Sequence, residues 1–213
     1  MNPVLLSIIA IVIAYLLGSI PSAFVIGKLR KGMDIRKVGS HNMGAMNTFY
    51  SVGFWWGMLV LVMDIGKGML AVWVPRWLMG PDSTHYIDLV CGAMAILGHN
   101  LPVFLKFKGG KGGATLIGVL VIIMPAWGFP VYLASFGLMM LITRFPTLSY
   151  GVAFLCFPLL AAFSYHNTVY LIYSLALLMV PAIRYIPRVI EMRKKATGGW
   201  KQVAMRKNLK ERL

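Results

Sequence analysis

Long apolar runs interrupted by three basic blocks constrain this chain more than any other feature. Lys28, Arg30, Lys31, Arg36 and Lys37 form the first block, and Lys106, Lys108 and Lys111 the second. Ten Lys and Arg between Arg184 and Arg212 form the third. Together the blocks hold 18 of the 21 basic residues, which is the positive-inside pattern of cytoplasmic loops and a cytoplasmic tail. A net charge of +15 alone would suggest nucleic acid, but charge segregated between apolar runs argues against that partner. Only 13% of residues are charged, about half the share a soluble surface carries. The expectation is an all-α integral membrane protein, a single polytopic domain over residues 1–213 with a basic tail from about residue 188.

The first span runs from about Pro3 to Gly27, and a cytoplasmic first block then places the N-terminus outside. Residues 3–26 are too long an apolar run for a leader core and lack a basic flank, so they read as a retained span. A polar loop follows over 29–50, then spans from about Val52 to Trp77 and from Tyr86 to Leu105, joined by a turn at 80–83. Residues 113–186 begin and end on the cytoplasmic side and so need an even number of spans. Breaks at Pro125-Ala126-Trp127-Gly128, Thr143-Arg144-Phe145-Pro146 and Ser164-Tyr165-His166-Asn167 predict four, averaging about 17 residues. That gives about seven transmembrane helices with a cytoplasmic C-terminus; five spans with re-entrant segments is the other arrangement the pattern admits. Cys91 and Cys156 sit in apolar runs without paired ligands and read as buried thiols rather than a disulfide or metal site. The tail, with Trp200 among its lysines, reads as a segment lying on anionic lipid.

Two segments have residues suited to chemistry. Gly39-Ser40-His41-Asn42-Met43-Gly44-Ala45-Met46-Asn47 alternates small residues with groups able to hydrogen-bond an oxyanion or hydroxyl, and Arg36 and Lys37 would steer an anion toward it. Residues 98–115 combine three lysines with the pairs Gly109-Gly110 and Gly112-Gly113. Glycine lets backbone N–H groups converge on one point and lysine adds charge there, which suits phosphate at a membrane surface. A P-loop is excluded, because Lys111 is followed by Gly112 rather than Ser or Thr. His99 reads either as a base or hydrogen-bond donor to phosphate, or as a capped interfacial histidine. A His-x4-Asp acyltransferase motif is excluded because residue 104 is Phe. With six carboxylates in the chain, carboxylate-pair mechanisms are poorly supplied. Asp64 and Lys67, at i and i+3 inside the second span, cost about 3 kcal/mol each in mid-bilayer. They pair with each other, or orient one of the loops. The Met and Trp runs read as span packing and interfacial belt.

These residues resemble the bacterial acyl-phosphate:glycerol-3-phosphate acyltransferases, small integral membrane enzymes. Gly18-Ser19-Ile20-Pro21 is similar to that family's first-span ending, and 39–47 to its Gly-Ser-x-Asn-x-Gly-Ala-x-Asn motif. Asp64 with Gly66-Lys67-Gly68 resembles its Asp-x-x-Lys-Gly, and Phe145-Pro146-Thr147-Leu148-Ser149 its later Ser-Leu-Ser loop. Residues 98–115 follow its Gly-His-x-x-Pro-Val-Phe-x-x-Phe-Lys-Gly-Gly-Lys-Gly-x-Ala-Thr almost throughout. The resemblance implies a seven-span fold in a bacterial plasma membrane, with a cytoplasmic site where acyl phosphate donates its acyl group to the 1-hydroxyl of glycerol 3-phosphate. It implies neither metal nor coenzyme A nor other cofactor, and the expected unit is a monomer. Ser40, His99 and Lys111 are then the expected catalytic residues. Asn42, Gly44, Asn47, Lys108, Gly109, Gly110, Gly112, Thr115, Thr147 and Ser149 are the expected substrate and phosphate contacts.

Two positions depart from the family pattern. Tyr50 stands where the family's first motif carries Arg, and 184–188 has neither the His nor the Asn of the family's C-terminal stretch. Tyrosine cannot form the bidentate charged pair of arginine, and a lost charge-assisted contact costs about 1.5–3 kcal/mol. Arg188 is a candidate to supply that charge instead. The departures leave two other classes open: a homologue that binds anionic lipid or phosphate without acyl transfer, and a small transporter using Asp64 and Lys67.

Overall fold

The computed structural model describes residues 2–80, 85–144 and 146–195, all helical or connecting. The tail from residue 196, Phe145, and the side chains of Thr147 and Arg188 lie outside the described residues. The chain packs as two compact units, Met1–Ile123 and Met124–Leu213, divided just before the predicted break at Pro125–Gly128.

In the first unit, α1 (Pro3–Ser19) starts with Asn2 accepting the Val4 N–H at 2.8 Å and with proline at its first position, where no N–H is needed. It stops before Pro21, which has no N–H to donate and crowds the residue before it. The expected first span is therefore two helices. The second, α2 (Ser22–Lys31), ends in Lys28, Arg30 and Lys31, whose charge suits a helix C-terminus, and is closed by Gly32 at φ +64°. The polar loop contains a short helix, α3 (Ala45–Ser51). Next comes α4 (Phe54–Met79), whose 26 residues reach about 39 Å, enough to cross a hydrocarbon core. After it follow α5 (His85–Asn100) and α6 (Gly113–Ile123).

Small residues let these helices pack backbone to backbone, as helices do when lipid removes the usual hydrophobic drive. Ala10, Ala14, Ala71, Cys91 and Ala95 are all fully buried in one cluster. A Cβ on Gly18 would strike the Ala95 carbonyl, and one on Gly98 the Tyr15 carbonyl, so α1 and α5 meet closely where α1 ends. Gly68 and Gly118 do the same between α4 and α6, against Thr115 and Ile65. The opposite faces carry exposed apolar groups, including Trp77 at 84% and Trp55 at 78%, which suits lipid rather than water.

The second unit contains α7 (Gly128–Thr143), α8 (Pro146–Ala153), α9 (Cys156–Tyr165) and α10 (Thr168–Lys195). Tyr132, Phe154 and Phe157 form its aromatic core, with Tyr132 5.4 Å from each of the other two ring centroids. All three predicted breaks are present, two of them closed by Arg144 and His166 in the left-handed region. The helices between these breaks are unequal in length. Among the described residues, four runs are long and apolar enough to cross a membrane: Pro3–Lys31, Phe54–Met79, Tyr86–Leu105 and Thr168–Glu191. Gly113–Ile123, Gly128–Thr143 and Leu148–Ser164 are shorter apolar stretches. The 11 residues of α6 span only about 16 Å.

Candidate functional site

The loop between α2 and α3 is built around two side chains. Asp34 accepts the Arg36 backbone N–H at 3.0 Å and pairs with its guanidinium through Nε at 3.0 Å and Nη2 at 2.8 Å. The guanidinium hydrogen bond holds the Asp34 carboxyl down at about 2 and pushes the Arg36 pKa up. Asn47, fully buried, occupies the loop's centre. Its Nδ2 donates to the carbonyls of Ile35, Val38 and Asn42 at 2.8, 3.0 and 3.0 Å. Its Oδ1 accepts from the Ser40 backbone N–H at 3.1 Å and the Ser51 hydroxyl at 3.3 Å. Expected as a substrate contact, Asn47 spends its amide on shaping the loop that carries Ser40 and Asn42. Those two are half-buried, and Gly44 begins α3.

The segment after α5 turns back on itself. Pro102 O accepts from Leu105 N at 3.1 Å and Phe107 N at 3.0 Å, and Lys106 and Phe107 both take the left-handed conformation. The Gly109 N–H donates to Asn100 O at 3.2 Å and the Gly110 N–H to His99 O at 3.1 Å. These two N–H groups, expected to face an anion, turn toward the last carbonyls of α5. The glycines serve close approach: a Cβ on Gly110 would collide with His99 Nε2 and the Met43 carbonyl. Gly112, at φ +82°, swings the chain into α6, whose first-turn N–H groups have no intrahelical acceptor. Lys106 and Lys108 are exposed and Lys111 half-buried.

The two loops meet at two places. Met43 O lies against Gly110, and Arg36 Nη1 reaches Lys108 O at 3.5 Å. Ser40, Asn42, Lys108, Lys111 and the start of α6 therefore belong to one end of the first unit. Behind the glycines lies a buried polar cluster. Lys67 Nζ sits 2.9 Å from Asp64 Oδ1 and donates to Ile20 O at 2.9 Å. Ser22 Oγ donates to Asp64 Oδ1 at 3.0 Å, and His99 Nδ1 is 3.8 Å from the same oxygen. Thr115 Oγ1 and His99 Nδ1 are 3.2 Å apart. The sequence shows Asp64 with Lys67 as an i,i+3 pair; it does not show Ser22 or the Ile20 carbonyl beside them. A serine directly after a proline break in an apolar run is the signal that was available.

Thr147 and Ser149 belong to the second unit. Ser149 in the second unit is buried, its hydroxyl 3.0 Å from Thr143 Oγ1, and the Thr147 side chain lies outside the described residues. Tyr50, on α3, packs edge-on against Phe49 at 4.9 Å between centroids. Among the described residues, no three His, Cys, Asp or Glu are grouped to hold a metal ion.

Apolar helices packed through glycine, with a lysine–glycine loop over a buried ion pair, define a polytopic membrane protein with an anion-suited end. Known proteins narrow this class. The sequence model of a family described as glycerol-3-phosphate acyltransferase matches residues 8–195. A protein of Dehalococcoides mccartyi named glycerol-3-phosphate acyltransferase 2 is 53% identical over the whole of both chains. The glycerol-3-phosphate acyltransferase of Bacillus subtilis is 42% identical, over 80% of this chain and 84% of its own. Crystal structures of PlsY, an integral membrane glycerol 3-phosphate acyltransferase, superpose as well. Its glycerol 3-phosphate form gives a TM-score of 0.76 at 32% identity, over 87% of this chain and 91% of that one. Its lysophosphatidic acid form gives 0.73 at 30%, over 92% and 98%. The chain belongs to the glycerol-3-phosphate acyltransferase family.

Proposed function

We propose that this chain transfers a fatty acyl group from an acyl phosphate to the 1-hydroxyl of glycerol 3-phosphate. The products are lysophosphatidic acid and inorganic phosphate, within phospholipid synthesis. The protein works as a monomer in a bacterial plasma membrane, crossing seven times with its N-terminus outside and both loops of the first unit on the cytoplasmic side. One observation carries this reading. The contacts Met43–Gly110 and Arg36–Lys108 place the hydroxyl and amide of Ser40 and Asn42 on the same end of the unit as the lysines and the α6 N-terminus.

Two phosphates bound together need dispersed positive charge and N–H donors. Lys108 and Lys111 supply the charge, and the first turn of α6, from Gly113 to Thr115, supplies N–H groups and the positive end of a helix dipole. The acceptor hydroxyl oxygen attacks the acyl carbonyl carbon, the bond from that carbon to phosphate oxygen breaks, and phosphate leaves with the electron pair. The proton of the attacking hydroxyl passes to a substrate phosphate oxygen. Because phosphate is already a good leaving group, the protein's contribution is positioning and charge stabilisation, and no strong protein base is required. Family membership and the two ligand forms of the solved relative support the reading.

The test is phosphate release from acyl phosphate by the reconstituted protein, with and without glycerol 3-phosphate. Release that depends on the acceptor is the expected result. Binding of labelled glycerol 3-phosphate without release would instead fit a binding homologue. Its accumulation inside sealed vesicles without release would fit a transporter.

A further inference from the structure

We infer that the buried Asp64–Lys67 pair is a positioning device for the phosphate loop, acting through His99 on the backbone at Gly110. Four helices converge on this pair. Asp64 Oδ1 faces Ser22 Oγ of α2 at 3.0 Å, Lys67 Nζ of α4 at 2.9 Å and His99 Nδ1 of α5 at 3.8 Å. Thr115 of α6 meets the same His99 nitrogen at 3.2 Å. Every one of these side chains is buried to 4% exposure or less.

Mutual neutralisation alone does not require this arrangement. A buried ion pair recovers little over well-packed apolar side chains, because desolvation offsets the attraction. Here both partners reach outward. Lys67 spends a second donor on Ile20 O, the carbonyl at the break between α1 and α2, which anchors the pair to the end of the first helix. Thr115 Oγ1 at 3.2 Å and Asp64 Oδ1 at 3.8 Å both face the Nδ1 edge of the ring and so hold its orientation from that side. The other edge of that ring, at Nε2, is the surface against which Gly110 packs so closely that no Cβ fits. His99 O in turn accepts the Gly110 N–H at 3.1 Å. Gly110 is thus held to His99 twice, by close packing against the imidazole and by a hydrogen bond to the backbone carbonyl. His99 therefore works from beneath the loop as a positioning residue, and Asp64, Lys67, Ser22 and Thr115 set its orientation.

This rests on the proposed role of the loop in holding phosphate, but its test reads the loop directly. The full-length protein in lipid nanodiscs is compared with D64N/K67M, which removes both charges without stranding either, and with Ser22→Ala, Thr115→Val and Thr115→Ser. Hydrogen exchange is followed by mass spectrometry, with steady-state kinetics alongside. In D64N/K67M and Thr115→Val, exchange over 106–115 rises about tenfold while α1, α4 and α5 keep their protection. The kcat for acyl transfer falls by about 100-fold, a loss typical of a reacting group displaced by about 1 Å. Thr115→Ser, which keeps the hydroxyl, restores both. If D64N/K67M does not fold, Ser22→Ala and the Thr115 pair decide the matter. Unchanged exchange over 106–115 overturns the inference, and so does an increase spread evenly through the unit, which marks a purely structural pair. If the wild type itself releases no phosphate, the proposed activity fails while the exchange result still judges the positioning role.

Discussion

Replacing Asn47 with alanine separates a loop-shaping residue from a substrate contact. The wild-type amide makes five hydrogen bonds, three from Nδ2 and two to Oδ1, in a fully buried position. Alanine leaves the carbonyls of Ile35, Val38 and Asn42 and the Ser40 N–H without this partner. At about 1 kcal/mol net per bond, discounted because two N–H groups serve three carbonyls, the loss is about 3–5 kcal/mol. Water can enter from the loop's exposed side, so the cost concentrates in residues 33–44 rather than in the whole unit. The assay is hydrogen exchange on the detergent-solubilised protein, paired with binding of labelled glycerol 3-phosphate. Exchange over 33–44 should rise sharply while α4 and α5 stay protected, and binding should weaken with it. Lost binding with unchanged exchange over 33–44 would refute the reasoning and return Asn47 to the ligand.

Other substitutions probe neighbouring points of the account. Gly110→Ala places a methyl against His99 Nε2 and Met43 O, so acyl transfer should fall by about 100-fold, measured as phosphate release, with the helical circular dichroism unchanged. Tyr50→Arg restores the charge that the family pattern carries at this position, and should raise kcat/KM for glycerol 3-phosphate by about tenfold, in line with one charge-assisted bond. The Asp34–Arg36 pair has a defined pH window. The Asp34 carboxyl sits at about 2 against an ordinary 3.8, so its contribution to loop stability is complete above 3.8 and is lost as pH falls toward 2. Wild type and Asp34→Asn should therefore differ by a constant amount in thermal unfolding between pH 6 and 8, and converge only in acid.

Much of this structure is legible in the sequence because membrane insertion imposes strong local rules. The apolar runs and the breaks at 125–128, 143–146 and 164–167 are each set by short-range chemistry, and they reappear in the helices. What escaped is set by contacts distant in sequence. The first span divides at Pro21, and its freed end is held by Lys67, 47 residues away. Gly109 and Gly110 announce themselves as loop residues, but only the fold shows their N–H groups bonded to α5 and His99 beneath them. Asn47 looks like a ligand group in the motif because an amide suits either task; its burial and its five partners within the loop emerge only in the fold.

The most direct test of the central claim is a product balance. Reconstituted protein is given acyl phosphate and labelled glycerol 3-phosphate, and lysophosphatidic acid and inorganic phosphate are counted together over time. The account predicts one lysophosphatidic acid for each phosphate released, and no release when the acceptor is omitted. Phosphate release at the same rate without acceptor, or labelled acceptor recovered unacylated, would contradict it.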